Sequence, residues 1–545
     1  MTDDPIRRPP LPRRPPGQQW WQRTDAARPL GVRLEPPADD DDPARRKEGS
    51  GIQSTGYAPD HLLITASEDL ERIENLLAAA ALGFGWSVLI TTLDGARLDS
   101  ADARAAAQED ARAYREEGRV PPLYRAKIVA DPKEDVDDEP VALIDAWRLL
   151  QAARRRGLPR GVGLDHILSV GPFPRTNPFT RTNPFTRTNP FTRTNAPGPD
   201  NYAEPGSGGR EVVAFAGAGP SSAETVGDGG RRPVVVVMDT GCGSHPWLDG
   251  HVRHAPIGLT DTATDPEVYG DQAGPYDGFL DDAAGHGTFI AGIIRQRCPQ
   301  AEIISIRVAD SDGLILESWF LEWVRQLVEW IRGDDGEPQP VDVLNLSLGY
   351  YHETPKDILF DDTMSVLLAD ARRAGCAVVC SAGNDSTDRP AFPAALWTFA
   401  GAEYVIDEPE DAAPHVSVGA LNPDNRTIAL FSNIGPWVKT YAPGTSVLST
   451  APAFQGAVQA GTRDDVDLAG EVLRRATIDP DDFTGGFAVW SGTSFAAPYV
   501  AGAIAHRVAG SLMSGKAGDP SQRSKQLREA ADEVMHRLRI PADAS

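Results

Sequence analysis

The run "VVVVMD", ending at Asp239, is apolar at every position except its last. A strand with one wet face alternates apolar and polar residues, so an unbroken β-branched run predicts a strand buried on both faces of a parallel sheet. "AEIISIRV", "VDVLNLSL", "CAVVCSAGN" and "HVSVGAL" are further strands of this kind. Between them the apolar spacing is helical over 287–296, 316–332 and 361–373. The alternation predicts an α/β fold: a doubly wound, mostly parallel sheet with helices on both faces, spanning 231–512. Sites in such sheets collect beyond the carboxyl ends of the strands.

Upstream the pattern differs. From "HLLITA" (61–66) to "GLDHILSV" (163–170) the order is strand, helix, strand, helical stretches at Ala103 to Glu117 and Val141 to Arg156, then a final strand. This predicts a small α+β domain over 59–171. Within it, Asn75 to Leu93 is uncharged and long enough to span a bilayer. It continues the amphipathic pattern of Leu70, Ile73 and Leu77, and Gly83 and Gly85 break it, so it reads as helix, turn and strand, with no membrane span.

The remaining segments are set by composition. Residues 1–58, rich in Pro, Arg and Asp, read as disordered. Residues 172–230 contain the repeat "RTNPFT" from Arg175 to Asn195, whose prolines remove amide donors, so the segment reads as an extended linker carrying Phe179, Phe185 and Phe191. Residues 513–545 read as a charged helix with Leu527, Val534 and Leu538 on one face. The charged insert 454–486 is expected to be helical, and Trp319, Trp323 and Trp330 to form a core-facing stripe.

Charge narrows the partners. A net charge of -25 repels phosphate backbones, which argues against a nucleic-acid partner. Four cysteines in 545 residues do not make a disulfide framework. A strand between Cys376 and Cys380 would hold them about 13 Å apart, so reduced thiols are expected. The first thirty residues hold no apolar core for a signal peptide, and a cytoplasmic location is expected, with non-classical export as the alternative.

Three side chains stand where this architecture can use them. Asp239 ends the valine strand, His286 opens a helix between Gly285 and Gly287, and Ser494 opens the helix "SFAAPYVAGAIAHRVAG". Each has a plain structural reading: a turn, a turn and a helix cap. At Ser494 the unpaired amides and the positive helix end also favour negative charge beside the hydroxyl.

Joint occurrence separates these readings. "DTG", "GHGT", "SAGN" and "GTSFAAP" occur in that order, with "NLSLG", "RPAFPAA", "FSNIG" and "YAPGTSVLST" between them. From Val234 to Gly510 the chain resembles the subtilisin-like serine proteases. The resemblance implies a serine endopeptidase acting on peptides or proteins, with no cofactor needed for catalysis. In it Ser494 attacks the carbonyl, His286 moves the proton and Asp239 orients the imidazole. Asn384 donates to the oxyanion together with the Ser494 amide. Ser347, Leu348 and Gly349 form the edge that pairs with an extended substrate, facing a wall at Ala382 and Gly383. Tyr350 stands where relatives often have glycine and is expected to narrow the cleft.

Two metal questions follow from the same comparison. The family often places a calcium-binding aspartate in "HPDL", and here Trp247 takes that place in "HPWLD". Asp265, Glu267 and Asp271 are calcium candidates in an acidic loop that reads otherwise as solvated. Cys242, His245, His251 and His254 could bind zinc, but their spacing is not that of a finger, and no metal is assigned. The resemblance offers the amino-terminal domain as a propeptide that fills the site until cleaved, against a regulatory module. The rival function is a catalytically silent fold that only binds peptides.

Overall fold

The computed structural model describes residues 32–34, 53–65, 70–117, 121–130, 143–170, 209–213, 217–272, 280–334, 336–360, 362–457, 460–478, 483–516 and 518–539. The hexapeptide repeat with Phe179, Phe185 and Phe191, and most of 1–58, lie outside the described residues.

The amino-terminal unit runs β1 (Thr55–Thr65), α1 (Leu70–Ala81), β2 (Trp86–Thr91), α2 (Ala101–Glu117), β3 (Leu123–Ala130), α3 (Ala146–Arg154) and β4 (Val162–Val170). Its sheet is ordered β4-β1-β3-β2 with every pair antiparallel. Ile73 and Leu77 of α1 and Leu149 and Leu150 of α3 bury against Leu62, Ile64 and Ile128 of that sheet. The sequence reading omits β3 because Arg125 and Lys127 lower its apolar content. Tyr124, Ala126 and Ile128 alternate with them and are buried, the period of a strand with one wet face. Asn75 to Leu93 divides into α1, a turn and β2, and no helix among the described residues is long and apolar enough to cross a membrane.

The second unit contains, in chain order, β5 (Val234–Asp239), α4 (His286–Arg297), β6 (Glu302–Arg307), β7 (Leu314–Leu316), α5 (Glu317–Arg332), β8 (Val343–Leu346) and β9 (Leu348–Gly349). Next come α6 (Asp362–Arg373), β10 (Ala377–Ser381), β11 (His415–Leu421), β12 (Thr440–Pro443) and β13 (Val447–Thr450). β14 (Thr462–Val466), β15 (Val472–Ala476), β16 (Phe487–Trp490), α7 (Thr493–Met513) and α8 (Pro520–Arg537) complete it.

The main sheet is ordered β12-β11-β10-β8-β5-β6, with the short strand Val252–His254 at its far edge, and all neighbours are parallel. Every residue of β5 is buried. Val234, Val236 and Met238 face the layer holding Leu327 of α5 and Leu367 of α6. Val235 and Val237 face the layer holding Ile290 of α4 and Val500 of α7. Two covered faces leave no position for a polar residue until Asp239, where the strand ends. The chain is thus an α/β protein with helices on both faces of a parallel sheet. Each such valine contributes roughly 1.5–3 kcal/mol by leaving water.

One expectation is overturned. The insert expected to be helical contains the hairpin β14–β15, not a helix. Its charges pair across the strands, Arg474 with Asp464 at 3.0 Å and Arg475 with Asp465 at 3.0 Å. Asp467 accepts from the Ala469 and Glu471 amides, and Gly470 takes φ +84°. Asp and Gly at a turn between β-branched flanks favour the hairpin over the helix.

The two units share an edge. β4 pairs antiparallel with β7 and, at its carboxyl end, with β9: Leu348 opposite Val170 and Gly349 opposite Ser169.

Candidate active site

Asp239 leaves the carboxyl end of β5 and meets His286 at the start of α4. His286 Nδ1 lies 2.8 Å from Asp239 Oδ1, and both side chains are fully buried. The same oxygen accepts from the Thr240 amide at 2.8 Å and its hydroxyl at 3.1 Å, which fixes the carboxylate plane. Gly285 takes φ +77°, open to glycine at no steric cost, and a Cβ on Gly287 would strike the Gly241 carbonyl oxygen. Gly287 is therefore demanded by how closely α4 passes the end of β5, and Gly285 by its left-handed backbone. Phe495, tilted at 5.3 Å, and Trp490, edge-on at 5.8 Å, pack around the imidazole and keep it dry.

His286 Nε2 has no hydrogen-bond partner among the described residues. Ser494, one residue into α7, directs its Oγ at the Ser347 carbonyl at 3.5 Å, while the Ser347 hydroxyl donates to the Ser494 carbonyl at 3.0 Å. The hydroxyl is thus turned toward β9 rather than bonded to the imidazole. Such links commonly tighten only when substrate is bound.

Asn384 follows β10. Its carbonyl oxygen accepts from the Thr493 amide at 2.8 Å and the Thr493 hydroxyl at 2.9 Å, which fixes the amide plane and commits its oxygen. Asn384 and Ser494 line one cavity of about 40 Å³ together with Ser347, Leu348, Gly349 and Gly383. Ala382 sits beside that wall, tied by its amide to Val418 at 2.9 Å and by its carbonyl to Asn433 Nδ2 at 2.8 Å. Ser169 of β4 lines the same cavity, so the amino-terminal unit closes one side of it. The edge expected to hold a substrate strand is already paired with β4. Tyr350 also lines this cavity, while its ring stacks on His166 at 4.7 Å and its hydroxyl donates to Glu317 at 3.1 Å.

The metal candidates scatter. Glu267 is buried, not solvated: it accepts from Thr240 Oγ1 at 2.5 Å, from Thr288 Oγ1 and from the Gly287 amide at 3.2 Å. Burial pushes its carboxyl up to about 7. Sequence reasoning missed it as a support of the His286 helix, although a threonine after Asp239 and another after His286 were visible as donors. Asp265 accepts from the Glu267 amide at 2.9 Å. Cys242, His245, His251 and His254 form no metal-sized group among the described residues. His245 accepts from the Trp247 amide at 3.0 Å, and Trp247 packs on Phe487 at 4.9 Å, an apolar use of the position. All four cysteines are unpaired and buried.

A second polar cluster lies where the units meet. Asp165 of β4, fully buried, accepts from the Ser318 amide at 2.9 Å and hydroxyl at 2.6 Å, serving as a cap for α5 supplied by the other unit. His61 lies between Asp165 at 2.7 Å and Asp60 at 2.7 Å. Although burial opposes the charge, these two carboxylates raise His61 to about 9. His166 lies between Glu317 at 2.6 Å and Glu353 at 3.0 Å. None of these groups was picked out from the sequence. The signal was a polar pair, Asp165-His166, inside an otherwise apolar strand, which requires buried partners.

The model of the subtilase family matches residues 230–516. An intracellular serine protease of Paenibacillus polymyxa is 27% identical over 291 residues, covering 51% of this chain and 66% of that protein. Serine protease AprX of Bacillus subtilis is 27% identical over 237 residues, covering 40% of this chain and 48% of its own length. Among solved structures, a cold adapted subtilisin-like serine proteinase is 21% identical with a TM-score of 0.34, covering 56% of this chain and 85% of its own.

Proposed function

Because the chain belongs to the subtilase family, we propose that it is a serine endopeptidase in which Ser494 is acylated by the scissile carbonyl. His286 takes the hydroxyl proton on Nε2 and returns it to the leaving amine. Asp239 holds Nδ1 and stabilises the cation that forms. Asn384 and the Ser494 amide donate to the oxyanion, worth on the order of 10²- to 10³-fold in turnover for one such donor. The observations that carry this reading are the buried His286–Asp239 pair whose second nitrogen has no partner among the described residues, the packing of that imidazole on Phe495, the residue after Ser494, and a cavity lined by Ser494 and Asn384. An acid–base histidine needs one nitrogen fixed and the other available. The test is hydrolysis of an unfolded protein by the chain and by Ser494→Ala. Cleavage by the first alone supports the reading, and equal traces from both remove it.

The amino-terminal unit, 59–171, acts in this proposal as an internal ligand. The pairing of Ser169 and Val170 with Gly349 and Leu348 favours it, since a substrate strand would need the same backbone groups. The catalytic centre therefore starts out covered. Self-cleavage in the linker, read by intact mass in the wild type and absent in Ser494→Ala, distinguishes a propeptide from a permanent regulatory module. Substrates are peptides or proteins. Buried, unpaired thiols and a relative named as intracellular support action inside the cell.

A further inference from the structure

Between the two units lies a cavity of about 20 Å³ lined by Arg154, His166, Glu317, His352, Glu353 and Asp357. That volume admits one particle the size of a water molecule or a metal ion. Among the described residues, His166, His352 and Glu353 are all buried and present ligand atoms within 4.8 Å of one another. We propose that these three residues bind one Zn²⁺ ion, which clasps the amino-terminal unit to the peptidase unit.

The donor set is the first argument. Two imidazoles and a carboxylate, with a fourth position for water, are a recurring zinc environment. The second is the support behind it. Glu317 holds His166 Nδ1 at 2.6 Å and is itself held by the Tyr350 hydroxyl at 3.1 Å. With a proton kept on Nδ1 by Glu317, an ion that replaces the Nε2 proton now shared with Glu353 meets both groups in the carboxylate–histidine–metal arrangement of zinc proteins. Spacing is the third. His166 Nε2 and Glu353 Oε2 stand 3.0 Å apart, and two ligands of a tetrahedral zinc at about 2.0–2.1 Å sit roughly 3.3 Å apart, so a small opening admits the ion. The His352 ring meets His166 edge-on at 5.3 Å.

Charge is the fourth argument. Glu317, Glu353 and Asp357 surround the cavity, and Arg154 is the guanidinium in ion-pair contact, 2.8 Å from Asp357 and 3.9 Å from Glu353. His166 sits between two of these carboxylates, so a cation entering there takes the place of its Nε2 proton beside them. Finally, the ligands come from both sides: His166 from β4, His352 and Glu353 from the segment after β9. An ion bound by all three is stable only while the units are docked, so zinc and docking favour each other. The site is separate from Ser494, and its test does not require proteolysis.

The experiment uses the full chain carrying Ser494→Ala, stripped with a chelator and dialysed against micromolar free Zn²⁺. Zinc per chain is measured by atomic emission, and Co²⁺ replaces it for visible absorption. The expected result is one equivalent per chain, lost in both His166→Gln and His352→Asn, with intense four-coordinate Co²⁺ bands in the parent. Failure of the parent to take up zinc overturns the proposal. So does equal zinc in the parent and in either variant with native circular dichroism, or a weak six-coordinate Co²⁺ spectrum. If neither variant folds, the parent's stoichiometry and Co²⁺ spectrum decide alone.

Discussion

His286 and His166 are both buried histidines at carboxylates, and their surroundings differ in one respect. Among the described residues His286 has a single carboxylate, at 2.8 Å, and its other nitrogen has no hydrogen-bond partner. His166 has a carboxylate at each nitrogen, at 2.6 and 3.0 Å. The first arrangement leaves one nitrogen for a reacting proton, and the second sets both nitrogens against carboxylates where the two units meet. Burial and a carboxylate neighbour therefore do not by themselves mark a proton-transfer centre. In the proposed reaction the difference lies in the second nitrogen, which at His286 has no partner among the described residues.

The comparison predicts separable failures. The largest effect belongs to the catalytic centre: Ser494→Ala or His286→Ala lowers kcat by on the order of 10⁶-fold while leaving the units docked, read by peptide hydrolysis together with limited proteolysis. Loss of docking in these variants would merge the two roles.

Next is Asp165→Ala, which leaves His61 and the Ser318 amide with a buried vacancy. Breaking a buried ion pair from one side costs about 3–5 kcal/mol. That cost falls on the amino-terminal unit, which holds both Asp165 and His61, while loss of the Ser318 cap weakens docking by roughly tenfold; the β9 edge opens and cleavage of an added peptide rises. Unchanged activity alongside demonstrated undocking would show that β4 does not limit access to the cleft.

Two pH effects are of similar, smaller size and fall in different units. His61 is raised from 6.5 to about 9, so its contribution is fully present below pH 6.5 and is lost as pH rises through 9. That shift corresponds to on the order of 3 kcal/mol. Melting of the amino-terminal unit should fall across this range in wild type and stay flatter in His61→Gln. Glu267 is raised from 4.5 to about 7, so its contribution is present below pH 4.5 and is lost as pH rises through 7. Glu267→Gln should remove that slope from the peptidase unit and change turnover by no more than a few fold. Parallel thermal melts of each pair against pH decide both. At the small end, Leu468→Ser at the exposed tip of the β14–β15 hairpin should move stability by less than about 0.5 kcal/mol.

Legibility followed burial. β5 could be read from its residues because two covered faces exclude every polar side chain before Asp239. β3 could not, because Arg125 and Lys127 interrupt its apolar run, nor could the β14–β15 hairpin, whose exposed arginines and aspartates read as a charged helix. The positions of Asp239, His286, Asn384 and Ser494 were proposed from motif order, which fixes identity and leaves geometry open. That Ser494 faces the Ser347 carbonyl, and that β4 covers Leu348 and Gly349, depend on contacts more than 100 residues apart in the chain. Glu267 looked like a solvated acid because local sequence does not record that Thr240 and Thr288 converge on it.

The most direct measurement is acylation of the serine itself. Folded chain carrying Asp165→Ala, so that the cleft is uncovered, is treated with a fluorophosphonate and its peptides are mapped by mass spectrometry. The account predicts one adduct, on the peptide containing Ser494, absent when His286→Ala is added. A well-folded protein with an accessible cleft and no adduct at Ser494 would contradict it and leave a fold that binds peptides without cutting them.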